Sequence, residues 1–265
     1  MNLTSIVFAG LAGALAGMLA RVIANPKENK NAYVGAFVIL FAGLYYASKT
    51  YAVPWWDLRT AEREISEVPA FKALKEHDPE TYRNFMADVE GAIRNRKGTD
   101  EAIKSMRARV IDLVQERLPI ASNEAAMEYI AATMTELDEL YERGDDTCHQ
   151  FMFPADGVVP LDIQKYVSKE AQQNDLRALA MVIESSSRNP QDVPEEREVM
   201  PHLQPVFERL ASTYGGDIAL IQNPGAPGAD KRKLCAIVSD LYSQVLQMPA
   251  EEGGKVLRFM ISQGT

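Results

Sequence analysis

The sequence predicts an all-α protein, in which an N-terminal transmembrane hairpin of two helices precedes a soluble bundle of several helices. Residues 1–56 contain two apolar runs, about 3–24 and 32–48, which a short charged loop separates. From residue 57 onward, apolar side chains recur at helical spacing between Pro, Gly and capping residues, and the alternating pattern of strands is almost absent. We therefore expect a hairpin over 1–56, a stalk over 57–78 and an all-α soluble domain over 79–265, with a subdivision near 144–160 left open.

The two apolar runs resemble membrane-spanning helices in length and composition. Residues 3–20 carry no charge, and continuing past Arg21 to Ala24 gives a helix long enough to cross a hydrocarbon layer of about 30 Å. The second run is also uncharged, and the aromatic cluster at its end contains both Trp residues of the chain: Tyr45, Tyr46, Tyr51, Trp55 and Trp56. Such clusters lie at the headgroup level of bilayers. A cleaved signal peptide is disfavoured, because no Lys or Arg precedes the first run and a second run follows it at once.

Small residues mark a face on which the two helices can approach each other. Gly13 and Gly17 form a GxxxG pair, and Gly43 with Ala47 offers a matching patch on the second run. A second row of small residues lies beside the glycines and consists of Ala12, Ala16 and Ala20. We expect this face to pack the hairpin. A homo-oligomer built through the same face is the alternative, and small residues that merely fill a weakly apolar helix are the third reading.

The distribution of basic residues favours one orientation of the predicted hairpin in the membrane. The loop between the runs holds Arg21, Lys27 and Lys30, whereas only Lys49 lies close to the end of the second run. By the positive-inside rule this count places the loop in the cytoplasm and both termini outside, although a window extended to Arg63 gives a tie. We expect a multi-pass protein of the cell inner membrane, with a periplasmic soluble domain.

The predicted helices of the soluble part begin at residues with capping chemistry or at prolines. These positions are Asp78, Thr99, Ser122, Pro160, Ser168, Pro194, Asp230 and Pro249. The helices that follow the first three are joined by short links and should pack together. Pro201 and Pro205 should kink or split the helix that contains them.

The charge of the soluble part argues against nucleic acid as a partner. Four of the 28 basic residues and one of the 37 acidic residues precede residue 57, which leaves 24 basic and 36 acidic residues and a formal charge of −12. A surface of this sign repels phosphate backbones and anionic headgroups at long range. The expected partners are the lipid bilayer and a protein of the envelope.

The sequence offers little catalytic or metal-binding chemistry. His77, His149 and His202 lie in three separate segments, and no zinc motif is present, so we expect no metal and no cofactor. Cys148 and His149 are adjacent, but neighbouring side chains diverge on a helix, which disfavours a nucleophile and base pair. We assign no catalytic residue.

Cys148 and Cys235 are the only cysteines, and both lie in the soluble part. In an oxidising compartment, a bond between them would close a long loop and stabilise the fold by roughly 4 to 5 kcal/mol in the chain-entropy model. The alternative is a pair of buried free thiols. The disulfide and the periplasmic placement therefore depend on each other.

Three further patterns have simple structural interpretations. Gly225 to Gly228 with Lys231-Arg232-Lys233 resembles a phosphate-binding loop but lacks the required spacing, so we expect a solvated helix start. Arg143-Gly144-Asp145 reads as a helix stop. A group of acidic residues lacks calcium-loop spacing and reads as surface charge: Asp145, Asp146, Asp156 and Asp162.

Two classes of function fit these observations. The first is a non-catalytic interaction or scaffold protein, held at the membrane. The second is a membrane-tethered hydrolase or lyase that acts on cell-wall or lipid material through a carboxylate such as Glu195, Glu196 or Glu198. A pore-forming hairpin is a third, less favoured class. A deep cleft around an isolated buried Glu would favour the enzyme, and an exposed apolar groove would favour the interaction protein.

Overall fold

The fold is given by a computed structural model, which describes residues 3–23, 30–94, 109–144, 146–153, 161–226 and 228–263. Within these ranges the secondary structure is helical, with turns and short loops and without strands, which confirms the predicted all-α class. None of the helices, as far as their described residues extend, combines the length and apolar character needed to cross a membrane.

The helices, in chain order, have the following bounds. They are α1 (Leu3–Ile23), α2 (Lys30–Ala47), α3 (Val53–Glu67), α4 (Pro69–His77), α5 (Pro79–Arg94), α6 (109–117), α7 (Asn123–Glu142), α8 (Thr147–Met152), α9 (Lys169–Arg188), α10 (Glu196–Tyr214), α11 (Lys231–Leu246) and α12 (Ala250–Ser262). A π-helix, Ser48–Ala52, joins α2 to α3, and short 3-10 helices cover Leu118–Ile120, Ile163–Lys165 and Gly215–Gln222.

The chain divides into two compact units. The first unit comprises Met1–Ile65 and Met86–Lys97, and the second comprises Ser66–Phe85 and Gly98–Thr265. The first unit therefore contains the hairpin of α1 and α2. The helical bundle lies in the second unit, and residues on both sides of the stretch 144–160 belong to it.

Helix α7 is the centre of the bundle. It packs against α9, α11 and α12, and its buried face includes Ile130, Leu137 and Leu140. All three neighbours come from later in the chain, whereas the sequence had suggested that α7 packs with the two helices before it. Much of the middle helix of that predicted group, which begins at Thr99, lies outside the described residues.

The predicted helix starts are confirmed where the structure describes them. The side chains of Asp78, Ser122, Ser168 and Asp230 each accept a hydrogen bond from the backbone N–H three residues later. These bonds satisfy donors that a helix start leaves without a partner. At the other end of α7, Gly144 has a φ of 76°, which confirms the predicted helix stop.

Two expectations about helix continuity need correction. Pro201 and Pro205 do not split α10, because its buried residues Val199, Leu203 and Val206 hold it against the bundle and outweigh the lost backbone hydrogen bonds. Of the helix predicted over 160–167, the described part contains only the 3-10 turn Ile163–Lys165. This segment is too short for a cooperative helix before Ser168 caps α9.

Candidate functional site

The face between α1 and α2 consists of small residues on one side and aromatic rings on the other. Ala12, Ala16 and Ala20 are buried, with Ala16 fully inaccessible to solvent. A Cβ placed on Gly13 would lie 3.6 Å from Phe41, and one on Gly17 would lie 3.9 Å from Phe37. Gly13 faces Phe41 and Gly17 faces Phe37, so the residue number on α2 falls as the residue number on α1 rises. The two helices are therefore antiparallel. The prediction that small residues of α1 let the helices approach agrees with this geometry.

The partner surface on α2 differs from the predicted one. Gly43 and Ala47 are exposed, and a Cβ on Gly43 would meet no atom within 4 Å. The contact is instead made by a ladder of stacked rings, in which Phe37 and Phe41 are 6.0 Å apart and Phe41 and Tyr45 are 5.8 Å apart. Large rings fill the space that small residues on α1 leave open, so that only one of the two helices needs a small face.

The outward faces of the hairpin are strongly apolar. Ile39 is 74% exposed and Met18 is 63% exposed, values that are unusual for side chains of this kind. Among the residues of α1 and α2 whose burial is described, the other exposed large aliphatic side chains are Val7, Leu11, Leu15, Leu19, Val34 and Val38. We call these eight side chains the apolar hairpin surface. Exposed apolar side chains in this number mark contact with lipid or with a protein partner.

An aromatic belt extends from the last turn of α2 into α3. Tyr46, Tyr51, Trp55 and Trp56 are all more than half exposed. Cationic side chains lie over two rings of this region: Lys49 Nζ is 5.5 Å from the centre of the Tyr45 ring, and the Arg59 guanidinium is 4.9 Å from that of Trp55. Aromatic rings with adjacent cations are typical of the interface between hydrocarbon and water.

A groove of about 860 Å³ opens within the first unit, beside this belt. Its walls are formed by α1, the end of α2, the π-helix, α3 and Glu90 of α5, and they are mainly apolar. They include Leu11, Leu15, Leu44, Tyr51, Trp55 and Leu58. Glu90 is the single acidic residue of the lining and is partly exposed, so the groove is an apolar one and not a cleft around a buried Glu.

The second unit contains the predicted cysteine pair. Cys148 in α8 and Cys235 in α11 have their Sγ atoms at 2.14 Å and their Cα atoms at 6.4 Å, which is the geometry of a disulfide. Both residues are buried in the core. The bond connects two segments that are 87 residues apart in sequence.

The other patterns singled out in the sequence have structural roles. Lys231 pairs with Asp146 at 2.7 Å and Lys233 pairs with Asp217 at 2.8 Å, so both lysines hold neighbouring segments to the start of α11. His149 Nε2 lies 3.1 Å from the carbonyl oxygen of Pro224. Asp145 and Asp156 lie outside the described residues. Among the residues that can be described, no group of three His, Cys, Asp or Glu side chains could hold a metal ion.

The carboxylates proposed for an enzyme lie at the start of α10. Glu195 and Glu198 form a capping box, in which the Glu195 N–H donates to Glu198 Oε2 at 2.9 Å. Arg197 also pairs with Glu195 at 2.7 Å. All three glutamates, including Glu196, are exposed. Their environment is that of a solvated helix start, with their side chains in water and not in a cleft.

One polar cluster was missed in the sequence analysis. Asp175 on α9 lies 3.3 Å from the Thr133 hydroxyl on α7, near Tyr129. Burial raises the pKa of Asp175 to about 6, and the Thr133 hydrogen bond offsets this only in part. Burial, together with the negative charge of Asp175, also raises the pKa of Tyr129. Helical spacing could have found this cluster, because Asp175 follows Ala171 and precedes Leu179 by four residues on the buried face of α9.

Comparisons of the chain with protein-family models, with curated proteins and with solved structures give no match.

Proposed function

We propose that this chain is a non-catalytic interaction or scaffold protein of the cell envelope, whose N-terminal hairpin inserts into the inner membrane and whose helical bundle lies on the periplasmic side. The observation that carries this proposal is the apolar hairpin surface, where side chains such as Ile39 and Met18 face outward. Lipid is the partner that fits best, since residues 3–20 are uncharged and an aromatic belt lies at the end of α2. The proposal extends beyond the described helices to the full segments 3–24 and 32–48.

The disulfide supports the placement of the bundle. A bond such as Cys148–Cys235 persists in oxidising compartments and is rare where thiols are kept reduced. The positive-inside count, which uses Arg21 near the end of α1, Lys27, and Lys30 at the start of α2, favours the same side of the membrane. These two arguments use different residues and lead to one topology.

The interaction role is favoured over the hydrolase role by the surroundings of the acidic groups. A catalytic carboxylate with a raised pKa is normally held in a cleft that substrate can enter. Glu195, Glu196 and Glu198 are exposed at a helix start, and Asp175 lies between α7 and α9 beside Thr133. The groove in the first unit is mainly apolar, which suits a hydrophobic ligand or partner.

Membrane insertion is tested by extracting cell membranes with alkaline carbonate, which releases peripheral proteins but not inserted ones. The full chain should remain in the membrane pellet. The double variant Leu11→Lys, Ile39→Lys places two charges near the middle of the hairpin. Each lysine costs roughly 3 kcal/mol to insert into hydrocarbon, so this variant should move to the supernatant.

The matched control is Ile111→Lys, which alters an exposed apolar residue of the second unit and should leave the chain in the pellet. Release of the unchanged chain by carbonate would refute membrane insertion. The compartment is tested separately, by trapping thiols with acid and alkylating them with a polyethylene glycol maleimide. We expect a mass shift only after reduction, whereas a shift of the unreduced protein would place the bundle in a reducing compartment.

A further inference from the structure

A polar groove of about 660 Å³ lies between α10 and α11, within the second unit. Its volume is in the range of about 300–1,000 Å³ that is usual for small-molecule sites, but most of those sites are mainly apolar. This groove is instead lined by hydroxyl, amide, guanidinium and carboxylate groups with one thioether: Arg209, Ser212, Thr213, Asp240, Gln244, Gln247 and Met248. A lining of this composition suits a ligand that is rich in hydrogen-bonding groups.

The two helices supply different parts of the groove. Asp240 and Gln244 are half-buried one turn apart on α11 and form its floor. Arg209, Ser212 and Thr213 are exposed within one turn of α10 and form its rim. The Arg209 Nε–H donates to Gln244 Oε1 at 2.7 Å, which connects rim and floor and orients both planar groups. The polar groups of the groove are therefore partly arranged before any ligand binds.

The polar groups of the groove keep hydrogen-bonding capacity for a ligand. Arg209 uses its Nε–H for Gln244, which leaves the two terminal nitrogens of the guanidinium, and Gln244 retains the donors of its amide nitrogen. Thr213 donates its hydroxyl hydrogen to the Arg209 carbonyl oxygen at 3.0 Å, so the hydroxyl oxygen can still accept. Asp240 interacts with the Tyr214 hydroxyl, and the two oxygens of a carboxylate can accept further hydrogen bonds. Donors and acceptors thus lie close together, as neighbouring sugar hydroxyls require.

The charges of the lining favour a neutral ligand. The lining contains one positive group, Arg209, and one negative group, Asp240. A ligand with a net charge of either sign is attracted by one of these groups and repelled by the other. Met248 adds a half-buried apolar contact just beyond the end of α11, which suits the C–H face of a sugar ring.

We propose that this groove binds a neutral oligosaccharide, with Asp240 and Gln244 hydrogen-bonded to neighbouring hydroxyl groups and the Arg209 guanidinium beside them. The proposal gives the interaction role a class of partner, the glycans of the cell envelope, and for this location it rests on the proposed function. The binding itself does not depend on insertion of the hairpin, because every residue of the lining belongs to the second unit.

The test uses the full chain purified in a polyoxyethylene detergent, which carries no sugar. Binding of tri-N-acetylchitotriose, a neutral trisaccharide, is measured by isothermal titration calorimetry. We expect saturable binding by the unchanged chain. The double variant Arg209→Ala, Gln244→Ala removes the bond between rim and floor together with two hydrogen-bonding groups of the lining, and it should weaken binding at least about tenfold.

The matched control is the double variant Arg197→Ala, Gln204→Ala. It removes the same two residue types from exposed positions of α10 outside the lining and should leave binding unchanged. Ser212→Trp fills the groove from an exposed position of its rim and should abolish binding. Helical circular dichroism verifies that each variant remains folded.

The outcomes separate this inference from the proposed function. No binding of the trisaccharide by the unchanged chain would overturn the inference and leave the membrane proposal intact. Binding that neither the Arg209→Ala, Gln244→Ala variant nor Ser212→Trp weakens would show that the sugar binds elsewhere, and an equal loss in the control variant would do the same. Release of the unchanged chain by carbonate would refute membrane insertion without altering the calorimetric result.

Discussion

Breaking the Cys148–Cys235 bond should strongly destabilise the bundle. The bond closes a loop between residues that are 87 apart in sequence. In the chain-entropy model, a loop of this length restricts the unfolded chain enough to stabilise the native state by about 4.5 kcal/mol at 25 °C. A domain of this size is commonly stable by about 5–15 kcal/mol, so that reduction should remove a large part of its free energy of unfolding.

The assay is equilibrium unfolding in urea, followed by helical circular dichroism on the full chain in a mild detergent. With a denaturant slope of about 3 kcal/mol per molar, loss of the bond should lower the urea midpoint by about 1.5 M. Samples are equilibrated with and without reductant, and thiol titration verifies that reduction releases the two cysteines of the chain.

The control is the double variant Cys148→Ala with Cys235→Ala. Its midpoint should lie well below that of the oxidised protein, because both side chains are buried and the bond is gone, and reductant should not change it. An unchanged midpoint of the natural chain, after titration has shown both thiols to be released, would refute the entropic reasoning. Two free thiols before any reduction would refute the bond itself.

Two further predictions concern the bundle. Gly254→Ala places a Cβ within 2.4–2.7 Å of Asn123 atoms, including the backbone, and should reduce the free energy of unfolding in urea by about 1–3 kcal/mol. The control Gly216→Ala, whose Cβ would meet no atom within 4 Å, should change the free energy of unfolding by less than about 1 kcal/mol. Asp175→Asn should stabilise the protein above pH 6, by up to about 3 kcal/mol, because the folded pKa of Asp175 is raised to about 6 and its ionisation therefore opposes folding. The stability that neutral Asp175 provides is complete below its unfolded pKa near about 4 and is lost as the pH rises through 6, so unfolding curves of the two proteins should converge towards pH 4. A constant difference between the Asp175→Asn variant and the natural chain across pH 4–8 would show that the charge of Asp175 is not the cause.

Features encoded by neighbouring residues could be predicted from the sequence. The starts of α5, α7, α9 and α11 each depend on a hydrogen bond between a side-chain oxygen and the backbone N–H three residues later. Both partners lie close together in the sequence, so a short stretch of residues is enough to predict the helix start. The uncharged run 3–20 and the placement of both tryptophans were equally local observations. Cys148 and Cys235 could be paired because the chain has no third cysteine.

Features that depend on how helices face each other could not be predicted in this way. The rotation of α2 about its axis decides whether Gly43 or Phe41 faces Gly13, and its run of apolar residues gives no polar face from which to fix that rotation. The neighbours of α7 come from distant parts of the chain, so spacing along α7 identifies its buried face but not its partners. Asp175 was overlooked because a polar residue within an apolar stripe is usually taken as the edge of the buried face. Its spacing of four residues from Ala171 and from Leu179 nevertheless places it on that face.

Membrane insertion of the hairpin is tested most directly by the depth of its two tryptophans. Trp55 and Trp56 are the only tryptophans of the chain, so fluorescence excited selectively from tryptophan reports on the aromatic belt alone. The protein is reconstituted into vesicles whose phospholipids carry bromine at a shallow or a deep position of the acyl chain. We predict blue-shifted emission that shallow bromines quench more strongly than deep ones, as expected at the headgroup boundary. Emission at the wavelength of water-exposed indole, with no quenching by either lipid, would contradict the account.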